Sequence, residues 1–229
     1  MENMYRGARK LYDYNAEELF SSGVDTRTSN FGFGSVSLRV FKRSFDIAFG
    51  AFLLVPFLLT CVMLMALNPF FNSGPLFFVQ KRMGVGCKTF KALKFRTMKP
   101  ALEILRRADD PLEVDRITPL GLLLRKSRFD ELPQVLNVFV GDMSLIGPRP
   151  DYIDHAEVYL ESIPGYRERH VVRPGISGLA QTQLGYAVGF EGTQRKVNAD
   201  LYYIQNMSFR LEAWIFWRTL TTVFGRRGA

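Results

Sequence analysis

The feature that most constrains this chain is a long run without any charged residue, from Ile47 to Gln80. Its most apolar part, Ile47 to Leu67, is about as long as a helix that crosses a bilayer. An ordinary transmembrane helix is therefore one interpretation of the run. However, Pro56 lies near its middle, where a proline removes a backbone hydrogen bond and kinks or breaks a helix. The run therefore also fits a helix that enters the membrane and bends back.

The charges on either side of the run help to choose between these two interpretations. Basic residues collect on the cytoplasmic side of membranes. They occur here on both sides, as Arg39, Lys42 and Arg43 before the run and as Lys81, Arg82, Lys88, Lys91, Lys94 and Arg96 after it. Both ends are thus expected on the cytoplasmic face, which favours a re-entrant helix broken at Pro56. A kinked helix that spans the membrane is the alternative.

Three segments follow from the re-entrant interpretation. Residues 1–37 are polar, contain scattered Gly and Ser, and are weakly periodic, so they are expected to form a mobile extension. Residues 38–72 are expected to form the membrane-inserted helix. Residues 73–229 are expected to form a cytoplasm-facing domain on the membrane surface, and this domain contains the candidate catalytic residues described below.

Composition and charge narrow the function of that domain. The chain has 229 residues, a formal net charge of +8, and only 2 His and 2 Cys. So few imidazoles and thiols argue against a disulfide framework and against a zinc site built on Cys and His. The positive charge suits anionic lipid, nucleic acid or phosphorylated substrates. No nucleic-acid-binding motif stands out and the apolar run favours a membrane, so no nucleic-acid partner is expected.

The residues after the apolar run predict a small β-hairpin. Two β-rich segments, near Phe78 and Phe90, flank a Gly84-Val85-Gly86 turn and contain many cations. These cations form either a solvated basic face or a surface that contacts phosphates and lipid headgroups.

Most of the remaining sequence predicts helices, including Ile153–Glu161 and Phe209–Phe224, with Ser208 as the cap of the latter. The last helix combines tryptophans and arginines, so it either packs on the core or lies in the membrane interface. The predicted fold class is α+β and predominantly helical, with the re-entrant helix, the hairpin and interfacial amphipathic helices.

A carboxylate pair, Asp130-Glu131, precedes Pro133 in the predicted cytoplasmic domain. Because proline fits the first turn of a helix, Asp130 is expected at or near a helix N-cap. There the helix end and the basic stretch Arg125–Arg128 favour its ionised form and attract a phosphate. An ionised carboxylate beside a phosphate can form an aspartyl phosphate. On the dipeptide alone, simple helix capping is the favoured interpretation, so the surrounding motifs must decide.

A set of short motifs runs along the chain in a definite order. The motifs are Lys42-Arg43-x-x-Asp46, Gly74-Pro75-x-x-Phe78-x-Gln80-x-Arg82-x-Gly84, Lys94-Phe95-Arg96-Thr97-Met98, Asp130-Glu131-Leu132-Pro133-Gln134, Asn137-Val138, Gly141-Asp142-Met143-Ser144, Gly147-Pro148-Arg149-Pro150 and Arg173-Pro174-Gly175-Ile176-Ser177-Gly178-x-Ala180-Gln181. Each motif alone is weakly specific. The ordered set, which covers about Val40 to Phe224, resembles the bacterial sugar transferases, which are small monotopic phosphoglycosyl transferases.

The resemblance implies transfer of a phospho-sugar from a UDP-sugar to a polyprenol phosphate such as undecaprenyl phosphate, with release of UMP. It also implies Mg²⁺ as a cofactor and a re-entrant helix bent at a proline, here Pro56. The expected location is the bacterial inner membrane, with the catalytic domain facing the cytoplasm. The expected product begins the synthesis of an exopolysaccharide, capsule, O-antigen or related glycoconjugate. The sugar, the pathway and the oligomeric state stay open, a homodimer included.

Two positions differ from the pattern common in the family. Val55 precedes Pro56, where the family often has Ser, which bears on how the helix breaks. Thr182–Tyr186 replaces a common Asn-Gly-Arg, which bears on the specificity for the sugar or nucleotide.

The residues and the resemblance together define an expected site. Asp130 attacks the β-phosphorus of the UDP-sugar, and Glu131 is both catalytic and the ligand of Mg²⁺. The expected substrate-binding residues are Lys94, Arg96, Arg149, Arg173 and Asp200. Cationic side chains in this set would hold phosphate oxygens electrostatically.

Two other functions compete with this assignment. A catalytically silent membrane scaffold for polysaccharide assembly would need the basic surface and the membrane anchor but not Asp130. A lipid phosphatase is disfavoured, because no His or Cys lies in a motif typical of a catalytic nucleophile.

Overall fold

The computed structural model describes residues 36–99, 113–184 and 189–224, so the predicted mobile extension, residues 1–37, lies almost wholly outside the described residues. Helices predominate over short strands, which confirms a predominantly helical α+β fold. The helices are α1 (Val36–Phe71), α2 (Pro119–Lys126), α3 (Gln134–Val140), α4 (Ile153–Ser162), α5 (Leu179–Leu184), α6 (Gly189–Gln205) and α7 (Phe209–Phe224). The strands are β1 (Phe77–Met83), β2 (Thr89–Phe95), β3 (Ser144–Ile146) and β4 (Gly175–Ser177).

Helix α1 contains the apolar run that the sequence places in the membrane. By length and composition it could cross a membrane, and only 22% of its most apolar window is buried. The helix continues through Pro56 to Phe71, so a break at Pro56 is not confirmed. The Thr60 hydroxyl donates to the Pro56 carbonyl one turn earlier, at 2.7 Å, a local contact that often accompanies bending of a helix.

One face of α1 packs against the rest of the protein along most of its length. The buried residues of this face are Leu38, Asp46, Gly50, Phe57, Thr60, Leu64 and Asn68. Most are separated by about one or two helical turns, which places them on one side of the helix. The other side leaves Phe52, Leu59 and Val62 exposed. The helix therefore has a docked face and a bare apolar face.

Polar side chains fasten the N-terminal part of α1 to three different elements. Lys42 donates to Glu212 on α7 at 2.7 Å. Arg43 donates to carbonyls in the last turn of α3 at 2.7 and 3.1 Å. The buried carboxylate of Asp46 accepts a hydrogen bond from the Ser144 hydroxyl of β3 at 3.0 Å. The Lys42-Arg43-x-x-Asp46 motif thus docks the helix onto the protein.

The C-terminal end of α1 is fastened to strand β2. Asn72 donates its side-chain amide to the Arg96 carbonyl at 2.7 Å, and Arg96 donates back to the Asn72 carbonyl. Arg96 also donates to the carbonyl of Pro75 at 2.8 Å. Both ends of α1 are therefore held by the same globular part of the chain.

The predicted hairpin is confirmed as the antiparallel pair β1–β2, in which Phe77 lies opposite Phe95 and Met83 opposite Thr89. Its aromatic base packs on α1, because the Phe95 ring is 5.8 Å from the Phe57 ring. Successive side chains of a strand point to opposite faces. Because Phe95 packs on α1, the neighbouring Lys94 points away from that helix.

A second pair of strands, β3 and β4, is parallel, and the sequence analysis does not predict it. The Gly147 and Gly175 backbones touch beside this pair. A Cβ atom on Gly175 would lie 2.1 Å from the Gly147 amide nitrogen, which no side chain tolerates. The two glycine-containing motifs are thus in direct backbone contact.

Helix α7 packs against both strands of this small sheet. Helix α7 has the predicted bounds, and the Ser208 hydroxyl accepts the Leu211 amide at 3.3 Å, as expected of its cap. Helix α6 begins at Gly189, so Asp200 lies well inside it.

Candidate active site

The carboxylate pair lies in a short 3₁₀ turn, Phe129–Glu131, between α2 and α3. The turn follows Arg128, whose left-handed φ of 61° changes the direction of the chain after α2. Pro133 occupies the N-cap of α3, a position that needs no amide hydrogen. Asp130 is therefore near the helix N-cap, as predicted, but is not itself the capping residue.

Glu131 is held by two cations from distant parts of the sequence. Lys94 on β2 donates to Oε1 at 2.8 Å. Arg149, from the Gly147-Pro148-Arg149-Pro150 motif, donates to Oε2 at 3.0 Å and to Oε1 through its other nitrogen. Burial opposes ionisation of Glu131, but Arg149 and Lys94 outweigh it and hold the pKa well below its usual range. Glu131 is therefore an ionised carboxylate with both oxygens engaged.

Asp130 differs from its neighbour, because its carboxylate accepts no hydrogen bond from any residue in the described ranges. It is 8% exposed, so it is largely removed from solvent. Burial and the adjacent Glu131 raise the pKa of Asp130, while Lys94, Arg125 and Arg149 act in the lowering direction. The sequence predicts only influences that lower the pKa of Asp130, namely the helix end and the cations, and the structure adds burial and Glu131, which raise it. The result is an open carboxylate that is more basic than usual.

More cations surround the pair than it can neutralise. Lys94, Arg125 and Arg149 act on Asp130 electrostatically, and Arg82 acts on Lys94. Arg125 donates to the Thr97 hydroxyl at 2.8 Å, and Arg82 donates to the Gln80 side chain at 2.8 Å. Four cations and two carboxylates leave an excess of positive charge. Such an arrangement favours a ligand with two negative charges, such as a diphosphate.

Lys94 is the cation whose charge is easiest to lose. Burial lowers its pKa to about 8, Glu131 acts in the raising direction, and Arg82 and Arg149 add to the lowering. A bound anion would oppose this effect and keep the ammonium charged.

Three of the predicted substrate-binding residues are not part of this cluster. Arg96 is engaged with the carbonyls of Asn72 and Pro75, as described above. Arg173 is exposed, and its guanidinium has no polar partner among the described residues. Asp200 is 1% exposed and lies 2.7 Å from a guanidinium nitrogen of Arg169. Lys94 and Arg149 are thus the predicted substrate-binding residues that the structure places beside Glu131.

The cluster around Asp200 was missed by the sequence analysis. Arg169 and Lys196 both pair with Asp151, which also accepts the Tyr166 hydroxyl at 2.9 Å. Asp151 directly follows the Pro148-Arg149-Pro150 stretch. Its position beside this motif was the one indication in the sequence that it belongs to a structured cluster. Arg169 and Lys196 belong to no recognisable motif.

The described residues include no group of three or more His, Cys, Asp and Glu side chains placed to hold a metal ion. Mg²⁺ commonly takes only one or two carboxylates, together with substrate phosphates and waters. Glu131 fits that role only after another anion has taken over Lys94 and Arg149, because both of its oxygens are occupied. The pair therefore fits Mg²⁺ together with a phosphate ligand, and not by itself.

Replacing Glu131 by Gln should destabilise the protein by about 3 kcal/mol near neutral pH, since two buried cations would lose their partner. The folded-state pKa of Glu131 is depressed, so its stabilising effect is complete above the unfolded pKa of about 4.3. The effect is lost as the pH falls towards the folded value. The difference in Tm between wild type and variant, measured in detergent, should therefore stay constant above about pH 5 and shrink as the pH is lowered from about 5 to about 3.

Glu113→Gln is the matched control, because Glu113 pairs with Arg116 through a half-exposed side chain. It should cost less than about 1 kcal/mol. A Tm difference for Glu131→Gln that does not change with pH would contradict the assignment of a depressed pKa.

Comparison with known proteins confirms the family that the motifs indicate. Residues 37–226 match the family described as bacterial sugar transferase. A UDP-N-acetylgalactosamine-undecaprenyl-phosphate N-acetylgalactosaminephosphotransferase of Aeromonas hydrophila is 41% identical over 82% of this chain and 44% of its own length. The exopolysaccharide production protein PSS of Rhizobium leguminosarum bv. phaseoli is 37% identical over 82% of this chain and 96% of its own.

A third relative is the UDP-glucose:undecaprenyl-phosphate glucose-1-phosphate transferase of Caulobacter vibrioides, which is 38% identical over 82% of this chain and 68% of its own length. The chain spans less than half of the Aeromonas protein and nearly all of the Rhizobium protein. The family match extends over most of the chain and includes every residue of the site. The protein therefore belongs to the bacterial sugar transferase family and is a transferase.

Proposed function

We propose that this protein transfers a phospho-sugar from a UDP-sugar to a polyprenol phosphate such as undecaprenyl phosphate, releasing UMP. The reaction would pass through a covalent intermediate on Asp130 and begin the synthesis of an exopolysaccharide or related glycoconjugate. The names of the Aeromonas and Caulobacter relatives describe transfers to undecaprenyl phosphate from two different UDP-sugars. Because those sugars differ, we assign none to this chain.

One observation carries this proposal, namely the different environments of two adjacent carboxylates. Glu131 is saturated by Lys94 and Arg149, whereas Asp130 is open and has a raised pKa. A more basic carboxylate is the stronger nucleophile once it is ionised. The surrounding cations would bind the diphosphate and stabilise the negative charge of the transition state.

In the first half-reaction, an oxygen of Asp130 attacks the β-phosphorus of the UDP-sugar. A bond forms between that oxygen and phosphorus, and the bond from phosphorus to the bridging oxygen breaks. The bridging oxygen keeps the electron pair and leaves as part of UMP. The sugar phosphate is then held as an acyl phosphate on Asp130. Arg149 and Lys94 would neutralise the phosphate oxygens during this step.

In the second half-reaction, a phosphate oxygen of the polyprenol phosphate attacks the same phosphorus. The bond between phosphorus and the Asp130 oxygen breaks, and the electron pair returns to the carboxylate. The product is a polyprenyl diphosphate sugar, and the enzyme is restored. Arg173 is available to contact either substrate, since it is exposed and its guanidinium has no polar partner within the described ranges.

The covalent step predicts a partial reaction that needs no lipid acceptor. Purified enzyme with UDP-sugar and Mg²⁺ should release up to about one UMP per active site, and labelled UMP should exchange into UDP-sugar. Asp130→Asn is almost isosteric, and it should abolish both events while leaving the folded protein in the membrane. Release and exchange would be followed by chromatography of the nucleotides across a panel of UDP-sugars.

Asp154→Asn, in the exposed first turn of α4, is the matched control and should keep full activity. An active preparation without exchange would overturn the covalent role of Asp130 in favour of direct transfer. Wild-type protein that turns over no UDP-sugar, with or without lipid, would instead favour the catalytically silent scaffold.

We further propose that Glu131 binds Mg²⁺ together with the diphosphate of the substrate. When bound, the ion would neutralise the diphosphate and stabilise the leaving UMP. The diphosphate would compete for Lys94 and Arg149 and so release the Glu131 oxygens that they occupy in the absence of ligand. The excess positive charge around Asp130 and Glu131 would also oppose a divalent cation before the diphosphate has bound.

This dependence of metal binding on the nucleotide can be measured with Mn²⁺ as the probe, through the electron paramagnetic resonance signal of the free ion. Without nucleotide, wild-type protein should bind Mn²⁺ at least about tenfold more weakly than with UDP, because Glu131 is occupied and the site is positive. Two control samples, UDP without protein and the Glu131→Gln variant with UDP, would measure the Mn²⁺ that the nucleotide binds by itself.

Arg149→Gln should strengthen Mn²⁺ binding in the absence of nucleotide, because it removes one of the two cations that occupy Glu131. Arg125→Gln is the matched control, since it removes the same charge from a side chain that contacts Thr97, and it should strengthen binding less. Equal affinity for Mn²⁺ with and without UDP, in protein that binds UDP, would contradict the order proposed.

We also propose that α1 inserts in the bacterial inner membrane from the cytoplasmic side through its bare face and does not cross to the other side. Residues 38–72 would be the membrane-inserted segment, bent near Pro56, and residues 73–229 the catalytic domain on the cytoplasmic surface. The contacts at both ends of α1 support this, because one globular part holds both Asp46 and Asn72. The exposed Leu123 of α2 and Trp217 of α7 would lie at the same surface.

Cysteine labelling tests this topology after Cys61 and Cys87 are replaced by Ser. Cysteines placed at Ser37 and Lys88 should both react with a membrane-impermeant maleimide from the cytoplasmic side and neither from the periplasmic side. Labelling after detergent treatment would control for steric access. Reaction of the two positions from opposite sides of the membrane would establish a spanning helix instead.

A further inference from the structure

The stretch Arg149-Pro150-Asp151 is held at each of its three backbone carbonyls. The Arg149 carbonyl accepts a hydrogen bond from Arg169 at 2.7 Å. The Pro150 carbonyl accepts one from Arg82, and the Asp151 carbonyl accepts the Met83 amide at 3.2 Å. Because all three carbonyls are engaged, the position of this stretch is closely defined.

Arg169 joins this stretch to helix α6. It is 2% exposed, and besides the Arg149 carbonyl it contacts the carboxylates of Asp151 and Asp200. Burial of a guanidinium without partners is costly, so these contacts determine where it can lie. Burial acts against its charge, yet Asp200 and Asp151 outweigh burial and raise the pKa of Arg169 above its ordinary value.

The cluster around Arg169 contains equal numbers of cationic and anionic side chains. Arg169 and Lys196 supply two cations, and Asp151 and Asp200 supply two carboxylates. Asp200 and Lys196 both belong to α6, so the cluster fixes the Arg149 stretch relative to that helix. None of its charge is left over to bind a substrate, in contrast to the excess at Asp130 and Glu131.

We infer that Asp200 and Arg169 are positioning residues for Arg149, and that Asp200 does not bind substrate. The inference rests on the proposed function, in which Arg149 takes the diphosphate. Asp200 is 1% exposed, so a substrate cannot reach its carboxylate without opening the core. Arg169 instead holds the Arg149 backbone where its guanidinium reaches Glu131, and Asp200 holds Arg169.

A double-mutant cycle distinguishes positioning of Arg149 from a general effect on stability. Asp200→Asn should lower kcat/KM for UMP release by at least about tenfold in the wild-type background, because a displaced Arg149 no longer meets the diphosphate. In an Arg149→Gln background the same change should lower kcat/KM by only about twofold or less, since its target is already gone. The affinity for UDP should follow the same pattern.

Tyr203→Phe is the matched control on the same helix. It removes a buried hydrogen bond to Glu212 of 2.5 Å and should lower Tm, but its effect on kcat/KM should be equal in both backgrounds. If Asp200→Asn does not fold, Lys196→Gln perturbs Asp151 from the edge of the cluster and should show the same loss of additivity.

Equal losses from Asp200→Asn in both backgrounds would overturn the inference, because Asp200 would then act independently of Arg149. That outcome still requires active wild-type enzyme, so it differs from a failure of the proposed function, in which wild-type protein releases no UMP.

Discussion

The ion pairs of Glu131 with Lys94 and Arg149 are the interaction on which the site depends. They join three segments that are far apart in sequence, namely strand β2, the turn between α2 and α3, and the loop after β3. The same pairs make two adjacent carboxylates chemically different, since they saturate Glu131 and leave Asp130 open. A short 3₁₀ turn is enough for this, because it points neighbouring side chains in different directions.

Much of the fold was accessible from the sequence where local patterns were strong. The charge-free run predicts α1, alternating β-rich segments around glycines predict the hairpin, and Ser208 before an apolar stretch predicts α7. The ordered motifs also indicate the family correctly. At the site, Lys94, Asp130, Glu131 and Arg149 were expected together and lie together.

The remaining features depend on contacts that no local pattern records. Strands β3 and β4 have three residues each and pair across a long separation in sequence, so they lack a periodic signal. Arg96 resembles a phosphate ligand in sequence, but its partners are backbone carbonyls of Asn72 and Pro75. Likewise, only the folded chain brings Arg169 to Asp200.

The contact between Gly147 and Gly175 has a consequence for exchange of parts among relatives. Each glycine leaves space that the other backbone fills, so neither position accepts a side chain while the two backbones stay in contact. A chimera that grafts one of these loops from a relative with a different backbone path would push the two strands apart and displace Arg149. The loops that contain Gly147 and Gly175 therefore form one structural unit, and a chimera should exchange both of them together.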